Sequence, residues 1–113
     1  MATHDPALMP ARVIVRPTDP KYQDHNRKWQ GIPNLEQSPG GKLFATFYTG
    51  ATTEEAGNYV YVMTSTDKGY TWSGAEIIVE HEDPECRTFD PCLWKDPLGR
   101  IWLTYAQSRH YYD

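Results

Sequence analysis

Between residues 58 and 64 two kinds of position alternate: Tyr59, Tyr61 and Met63 fall on one side, Val60, Val62 and Thr64 on the other. A period of two is the pattern of a β-strand whose side chains point to opposite faces of a sheet. The apolar run from Ala75 to Glu80 reads as another strand, and Arg12 to Arg16, with Val13, Ile14 and Val15 inside it, as an early one.

Two further strand pairs emerge when the chain is laid over itself. Residues 31–48 align without a gap on residues 89–106. Pro33 then meets Pro91, Leu35 meets Leu93, Pro39 meets Pro97, Gly41 meets Gly99 and Thr46 meets Thr104, each pair 58 positions apart. Lys42/Arg100, Leu43/Ile101, Phe44/Trp102 and Phe47/Tyr105 are conservative pairs at the same offset. Each copy reads as a β-hairpin: an apolar strand, a Pro-x-Gly turn, then a strand dense in β-branched and aromatic residues. Glycine at 41 and 99 supplies the positive φ such a turn requires.

Four strands followed by the start of four more is the unit of a β-propeller, whose blades are four-stranded antiparallel sheets around an axis. The expectation is therefore an all-β chain with about one and a half blades. Residues 1–28 form an arm whose strand could close the last blade of a ring, residues 29–84 a first blade, and residues 85–113 the start of a second. A unit of this length exceeds the ~40 to 50 residues of common propeller repeats, so the loop over 49–57 is expected to be extended. A sandwich of two similar hairpins is the plainer alternative. Stacked repeats generally need about three units for stability. The chain is thus expected either to be a piece of a longer propeller or to complete itself with further copies.

Composition agrees and trims the functional classes. Nine prolines, eight glycines, eight tyrosines and four tryptophans favour short strands and turns over long helices. A net charge of -4, with 11 scattered basic residues, lacks the stripe of a nucleic-acid binder. No stretch approaches the roughly 20 apolar residues of a membrane-spanning helix. Met1 to Pro10 carries His4, Asp5 and two prolines where a secretory leader needs a basic then an apolar segment; the compartment stays open. Cys86 and Cys92 lack metal-site spacing and read as ordinary thiols. His25 and His110 have no partner at ligand spacing, so neither metal nor cofactor is expected.

Ser65-Thr66-Asp67-Lys68-Gly69-Tyr70-Thr71-Trp72 fits the pattern S-x-D-x-G-x-T-W at every fixed position. An aspartate at a turn can accept backbone N–H bonds, a glycine can take the left-handed conformation, and a tryptophan can pack the turn onto its sheet. With this motif, the Ile32-Pro33 strand start, the Gly41-Lys42-Leu43-Phe44 hairpin and the second hairpin from Asp90-Pro91 to Tyr105, the sequence resembles the sialidase (neuraminidase, BNR-repeat) superfamily of six-bladed propellers. The resemblance spans residues 29–108. It makes the motif an Asp-box on the turn between third and fourth strands, where Ser65, Asp67, Gly69, Thr71 and Trp72 are structural and remote from the active centre.

The resemblance also implies an exo-acting glycoside hydrolase on terminal sugars of glycans, with a carbohydrate as partner. Its catalytic set is a tyrosine nucleophile with a glutamate partner, an aspartate acid/base and three arginines holding a carboxylate. The tyrosine, its glutamate and two arginines belong to later blades, so the isolated chain is expected to be inactive. The family's first arginine precedes Ile-Pro, and here that position is Gly31. Arg27, four residues earlier, would share its face on an extended strand at a distance of roughly 13 Å. This departure widens the substrate from sialic acid to other terminal, including acidic, sugars.

The family's acid/base aspartate comes from the loop before the third strand, which here holds Glu54, Glu55 and Asn58. Glu54 or Glu55 could donate a proton if burial raised its pKa; solvated loop carboxylates are the plain alternative. Trp29 and Gln30 combine an apolar face with a hydrogen-bonding group, a common sugar-binding pair, although core packing also accounts for Trp29. Arg87 and Asp90 fall where the first copy has Trp29 and Ile32, and read either as binding residues or as a structural salt bridge. Two other functions fit the same pattern: a non-catalytic propeller that binds glycan or protein, and a propeller lyase acting on uronic-acid sugars.

Overall fold

The computed structural model describes residues 5–23 and 26–109. Its strands are β1 (Arg12–Val15), β2 (Gln30–Gln37), β3 (Leu43–Thr49), β4 (Tyr59–Ser65), β5 (Ile77–Glu80), β6 (Cys86–Lys95) and β7 (Ile101–Arg109). Two single 3-10 turns, Pro6–Leu8 and Pro20–Tyr22, each start with proline after an aspartate that caps them: Asp5 accepts from Ala7 N–H and Asp19 from Lys21 N–H. The chain is all-β and antiparallel, with one five-stranded sheet in the order β1-β5-β4-β3-β2 and one hairpin, β6–β7.

The alternation read from the sequence sorts the core onto two faces. Phe47, Tyr59, Tyr61 and Ile78 line one face of the sheet, where Tyr22 of the N-terminal arm joins them. Tyr48, Val60, Val62 and Val79 line the other, against Phe89 and Leu103 of the hairpin. Fully burying a side chain of this size stabilises the fold by about 1.5–3 kcal/mol relative to leaving it exposed, so these two clusters carry the sheet.

The early strand joins the edge of the main sheet. β1 pairs antiparallel with β5 from Arg12↔Glu80 to Val15↔Ile77 and makes the expected four-stranded sheet a five-stranded one. The physical reason is edge protection: β5 is four residues long, β1 matches it, and pairing satisfies a row of backbone groups that would otherwise be open.

The internal repeat persists in the register. Gly31↔Tyr48 and Asn34↔Thr46 in the first hairpin correspond to Phe89↔Ala106 and Cys92↔Thr104 in the second. Each ladder slips between its two pairs, and at the slip Ile32 and Asp90 take φ values of 51° and 46°. The turns match as well. Gly41 and Gly99 have φ of 94° and 83°, and Ser38 and Asp96 each accept a side-chain bond from the backbone N–H four residues on.

The second hairpin lies across the sheet. Leu93 N–H donates to Asn34 Oδ1 at 2.7 Å and Lys95 N–H to Glu36 Oε2 at 3.3 Å, so β6 and β2 advance in the same direction. Thr88, fully buried, accepts from Val60 N–H at 3.0 Å and donates to Val79 O at 2.6 Å. The N-terminal arm straps both parts: His81 Nε2 bonds Pro6 O and Gln107 Nε2 bonds Ala7 O, each at 2.7 Å.

Candidate functional site

The residues that carry candidate chemistry gather at the end of the sheet where β3 leaves and β4 enters. Asn58 organises the connecting loop: its Nδ2 donates to Gly50 O and Thr53 O, both at 2.9 Å, and its Oδ1 accepts from Glu55 N–H at 2.7 Å. Gly50 starts that loop at φ 86°, and a Cβ there would stand 2.7 Å from the Tyr59 ring and 2.8 Å from Gly57 O. No other residue fits. Gly57 N–H then bonds Cys86 O at 3.0 Å and Thr88 N–H bonds Asn58 O at 3.1 Å. Those two bonds bring the start of β6 against the loop.

Tyr48 sits at the centre of this end. It is 0% exposed, and its hydroxyl donates to the carboxylate of Glu54, which lies at the surface. Its ring tilts against Trp29 at 5.2 Å and meets Phe89 edge-on at 6.2 Å. The Arg87 guanidinium covers Phe89 at 3.9 Å and Tyr48 at 5.5 Å. Burial, and after it the bond to Glu54, push the Tyr48 hydroxyl up to about 12, with Arg87 pulling the other way. Arg87 forms no ion pair with Asp90 among the described residues, and its Nε is buried without a hydrogen-bond partner. Of the two readings of the Arg87–Asp90 pair, the structural salt bridge is not formed: Arg87 precedes the slip in β6 and stacks on Phe89, whereas Asp90 stands in the slip, exposed.

Gly31 lies close beside Trp29. A Cβ at that position would come within 3.2 Å of the Trp29 ring, which would have to shift by a few tenths of an ångström to admit a side chain there. Trp29 is packed into the core as well as facing this end. Gln30 is exposed at the first position of β2 and, with Gly31, Pro33 and Phe47, lines a cleft of about 180 Å³. Glu55 joins the loop through its backbone bonds with Asn58.

Arg27 is not brought to this group. Its guanidinium lies over Phe47 at 5.0 Å and Tyr61 at 4.4 Å, on the opposite face of the sheet. The even-offset expectation fails because β2 begins only at Gln30, so positions 27–29 do not follow strand periodicity. Arg27 instead lines a second cleft, of about 370 Å³, with Lys21, Lys28, Thr52 and Glu80.

The S-x-D-x-G-x-T-W motif lies at the far end of the seven-residue β4, about 20 Å away. Asp67 Oδ1 accepts from Thr71 N–H and from Ser65 Oγ, both at 2.8 Å, and Oδ2 accepts from the Thr71 hydroxyl. Ser65 Oγ accepts from Gly69 N–H at 2.9 Å, with Gly69 at φ 90° and the Trp72 ring 3.6 Å from where its Cβ would be. These bonds, the Thr71 hydroxyl first, hold Asp67 down at about 2. Ser65, Asp67, Gly69 and Thr71 all bond within their own turn, with the half-exposed Trp72 beside Gly69.

Among the described residues no three His, Cys, Asp or Glu side chains are grouped to hold a metal ion; His25 and His110 lie outside the described residues. Cys86 is buried and Cys92 exposed, both as free thiols. No helix is long and apolar enough to cross a membrane among the described residues. Sequence reasoning missed Tyr48. Its signal is its place opposite Gly31 in the hairpin, where an aromatic with a polar tip faces a residue without a side chain. Compared with known protein families, curated proteins and solved structures, the chain matches none.

Proposed function

We propose that this chain is part of a sialidase-like β-propeller that acts as an exo-glycoside hydrolase on terminal sugars of glycans, acidic sugars included. The observation that carries the reading is the cluster at one sheet end: a Tyr48–Glu54 pair, the Arg87 guanidinium stacked over Phe89, and exposed Asp90. Sugar sites combine aromatic surface with a few convergent polar groups, and this end supplies both. Glu54, accepting from Tyr48 with its carboxylate at the surface, is placed to receive a sugar hydroxyl. Arg87 offers a donor to a carboxylate or a ring oxygen. Two hairpins related by 58 positions, with β2 and β6 running the same way, support reading the sheet and the hairpin as successive blades.

Calorimetric titration with terminal hexoses and hexuronic acids tests the reading. At least one should bind weakly, and Arg87→Ala should lower its affinity about tenfold, the equivalent of one charge-assisted bond of roughly 1.4 kcal/mol. Absence of binding by every sugar, or binding that Arg87→Ala leaves unchanged, would reject it. A second reading, a glycan-binding propeller without catalysis, is supported by the same cluster, whose aromatic and polar groups suit binding with or without a nucleophile elsewhere. Sugar binding without turnover of fluorogenic glycosides, even when the chain is supplied with further blades, would decide for it.

A further inference from the structure

Asn58, 1% exposed, stands between two of the groups on which the sugar reading depends. Its side chain holds the peptides on both sides of Glu54: Nδ2 donates to Thr53 O at 2.9 Å, and Oδ1 accepts from Glu55 N–H at 2.7 Å. A further bond from Nδ2 to Gly50 O, also at 2.9 Å, ties the same side chain to the start of the loop. The main chain at this point holds the residues on both sides of Arg87. Thr88 N–H donates to Asn58 O at 3.1 Å, and Gly57 N–H donates to Cys86 O at 3.0 Å. Glu54 is thus clamped through the Asn58 side chain and Arg87 through the backbone at 57–58, from one buried point.

The clamped groups share a neighbour. The Tyr48 hydroxyl donates to Glu54 Oε1, and the Arg87 guanidinium lies 5.5 Å from the centre of the Tyr48 ring. They come from different halves of the molecule, Glu54 from the loop between β3 and β4 of the sheet and Arg87 from β6 of the hairpin. Neither half alone sets their spacing. An exposed loop carboxylate normally has to be ordered when a ligand binds, which lowers affinity; here folding has already ordered it. We infer that Asn58 is a positioning residue, which fixes Glu54 against Arg87 so that the two meet one ligand as acceptor and donor at a set spacing. The ligand this suits offers a hydroxyl to the carboxylate and a carboxylate of its own to the guanidinium, as a hexuronic acid does. That choice of ligand rests on the sugar reading, whereas the placement of Glu54 by Asn58 does not.

The placement is tested on the free protein by proton NMR of the Tyr48 hydroxyl, whose burial and bond to a carboxylate slow its exchange with water. The wild type should show this resonance, and Glu54→Ala, which removes the acceptor, assigns it by its loss. Asn58→Ala should abolish it too, although Asn58 bonds neither the hydroxyl nor the carboxylate. Asn58→Asp, which keeps an acceptor for Glu55 N–H and loses both donors, serves the same measurement where Asn58→Ala does not fold. A resonance unchanged in a folded Asn58 variant would overturn the proposal, as would its absence from the wild type. Calorimetric titration with D-glucuronate adds a readout that lost stability alone does not move. Glu54→Ala should weaken binding about tenfold in the wild type and less than about twofold when position 58 already carries the Asn58→Asp change, whereas Arg87→Ala should weaken it about tenfold in both backgrounds. Equal losses for Glu54→Ala in the two backgrounds would contradict the positioning role. A wild type that does not bind D-glucuronate would overturn the choice of ligand and leave the placement to be decided by the hydroxyl resonance.

Discussion

At one end of the sheet the turns over 38–42, 65–74 and 96–100 close on their own side chains; at the other, two strand slips and the loop after β3 leave polar groups facing outward. Asp96 illustrates the first end. It accepts from Leu98 N–H and Arg100 N–H at 2.9 Å, from Arg100 Nε at 2.6 Å and from Trp102 Nε1 at 2.8 Å, and the Trp102 bond above all lowers its pKa. Asp90 illustrates the second, exposed within the slip of β6 and in no ion pair among the described residues. Backbone strain is found at both ends: Ile32, Ala51 and Asp90 take positive φ near the open end and Lys68 in the turn over 65–74, and only at Ile32 does it fall on a β-branched residue, which that conformation disfavours. Exposed polar groups on a rigid sheet are the usual setting of a binding site, whereas fully satisfied turns stabilise and do little else. The motif most recognisable in the sequence therefore lies at the end with the least chemistry to offer.

The sharpest way to break this division is at Thr88, a member of the open end whose bonds are wholly structural. Thr88→Val keeps the shape and removes the hydroxyl that links Val60 N–H to Val79 O. Leaving those buried groups unpaired should cost about 2–3 kcal/mol, read by urea unfolding, with sugar affinity of the folded fraction unchanged. A neutral effect would mean that the open end is not anchored by β6. A smaller effect belongs to the turn end and is read by pH. Asp67 is held at about 2 against an ordinary 3.8. Because its folded-state value is the lower one, its contribution is complete above pH 3.8 and is lost as pH falls through about 2. Thermal unfolding of the wild type should therefore weaken across that window, and Asp67→Ala should remove this part of the slope while lowering stability at neutral pH. An identical slope in the variant would show that the motif's hydrogen bonds are not those described.

Much of the fold was legible because its signals are local. Alternation from Tyr59 to Thr64 placed β4 and both of its faces, and the offset of 58 foretold matching registers and turns, down to positive φ at Gly41 and Gly99. The destination of β1 was not legible, since which edge an isolated strand joins is decided by distant residues, here β5. The grouping of side chains at the open end was read in part. Arg87 and Asp90 came from the repeat, and Glu54 from its loop. Tyr48 was hidden because Phe47 and Tyr48 are both aromatic, and alternation cannot say which of them turns its tip toward Glu54. Arg27 was misplaced because strand periodicity was extended into residues that precede the strand.

The division between the two ends is tested most directly by following backbone amide resonances of the labelled chain while a binding sugar is titrated. Shifts should concentrate at Trp29, Gln30, Glu54, Arg87 and Asp90, with residues 65–74 and 96–100 unmoved. Shifts centred on those turns instead, or none at the open end for any sugar that binds, would contradict the account.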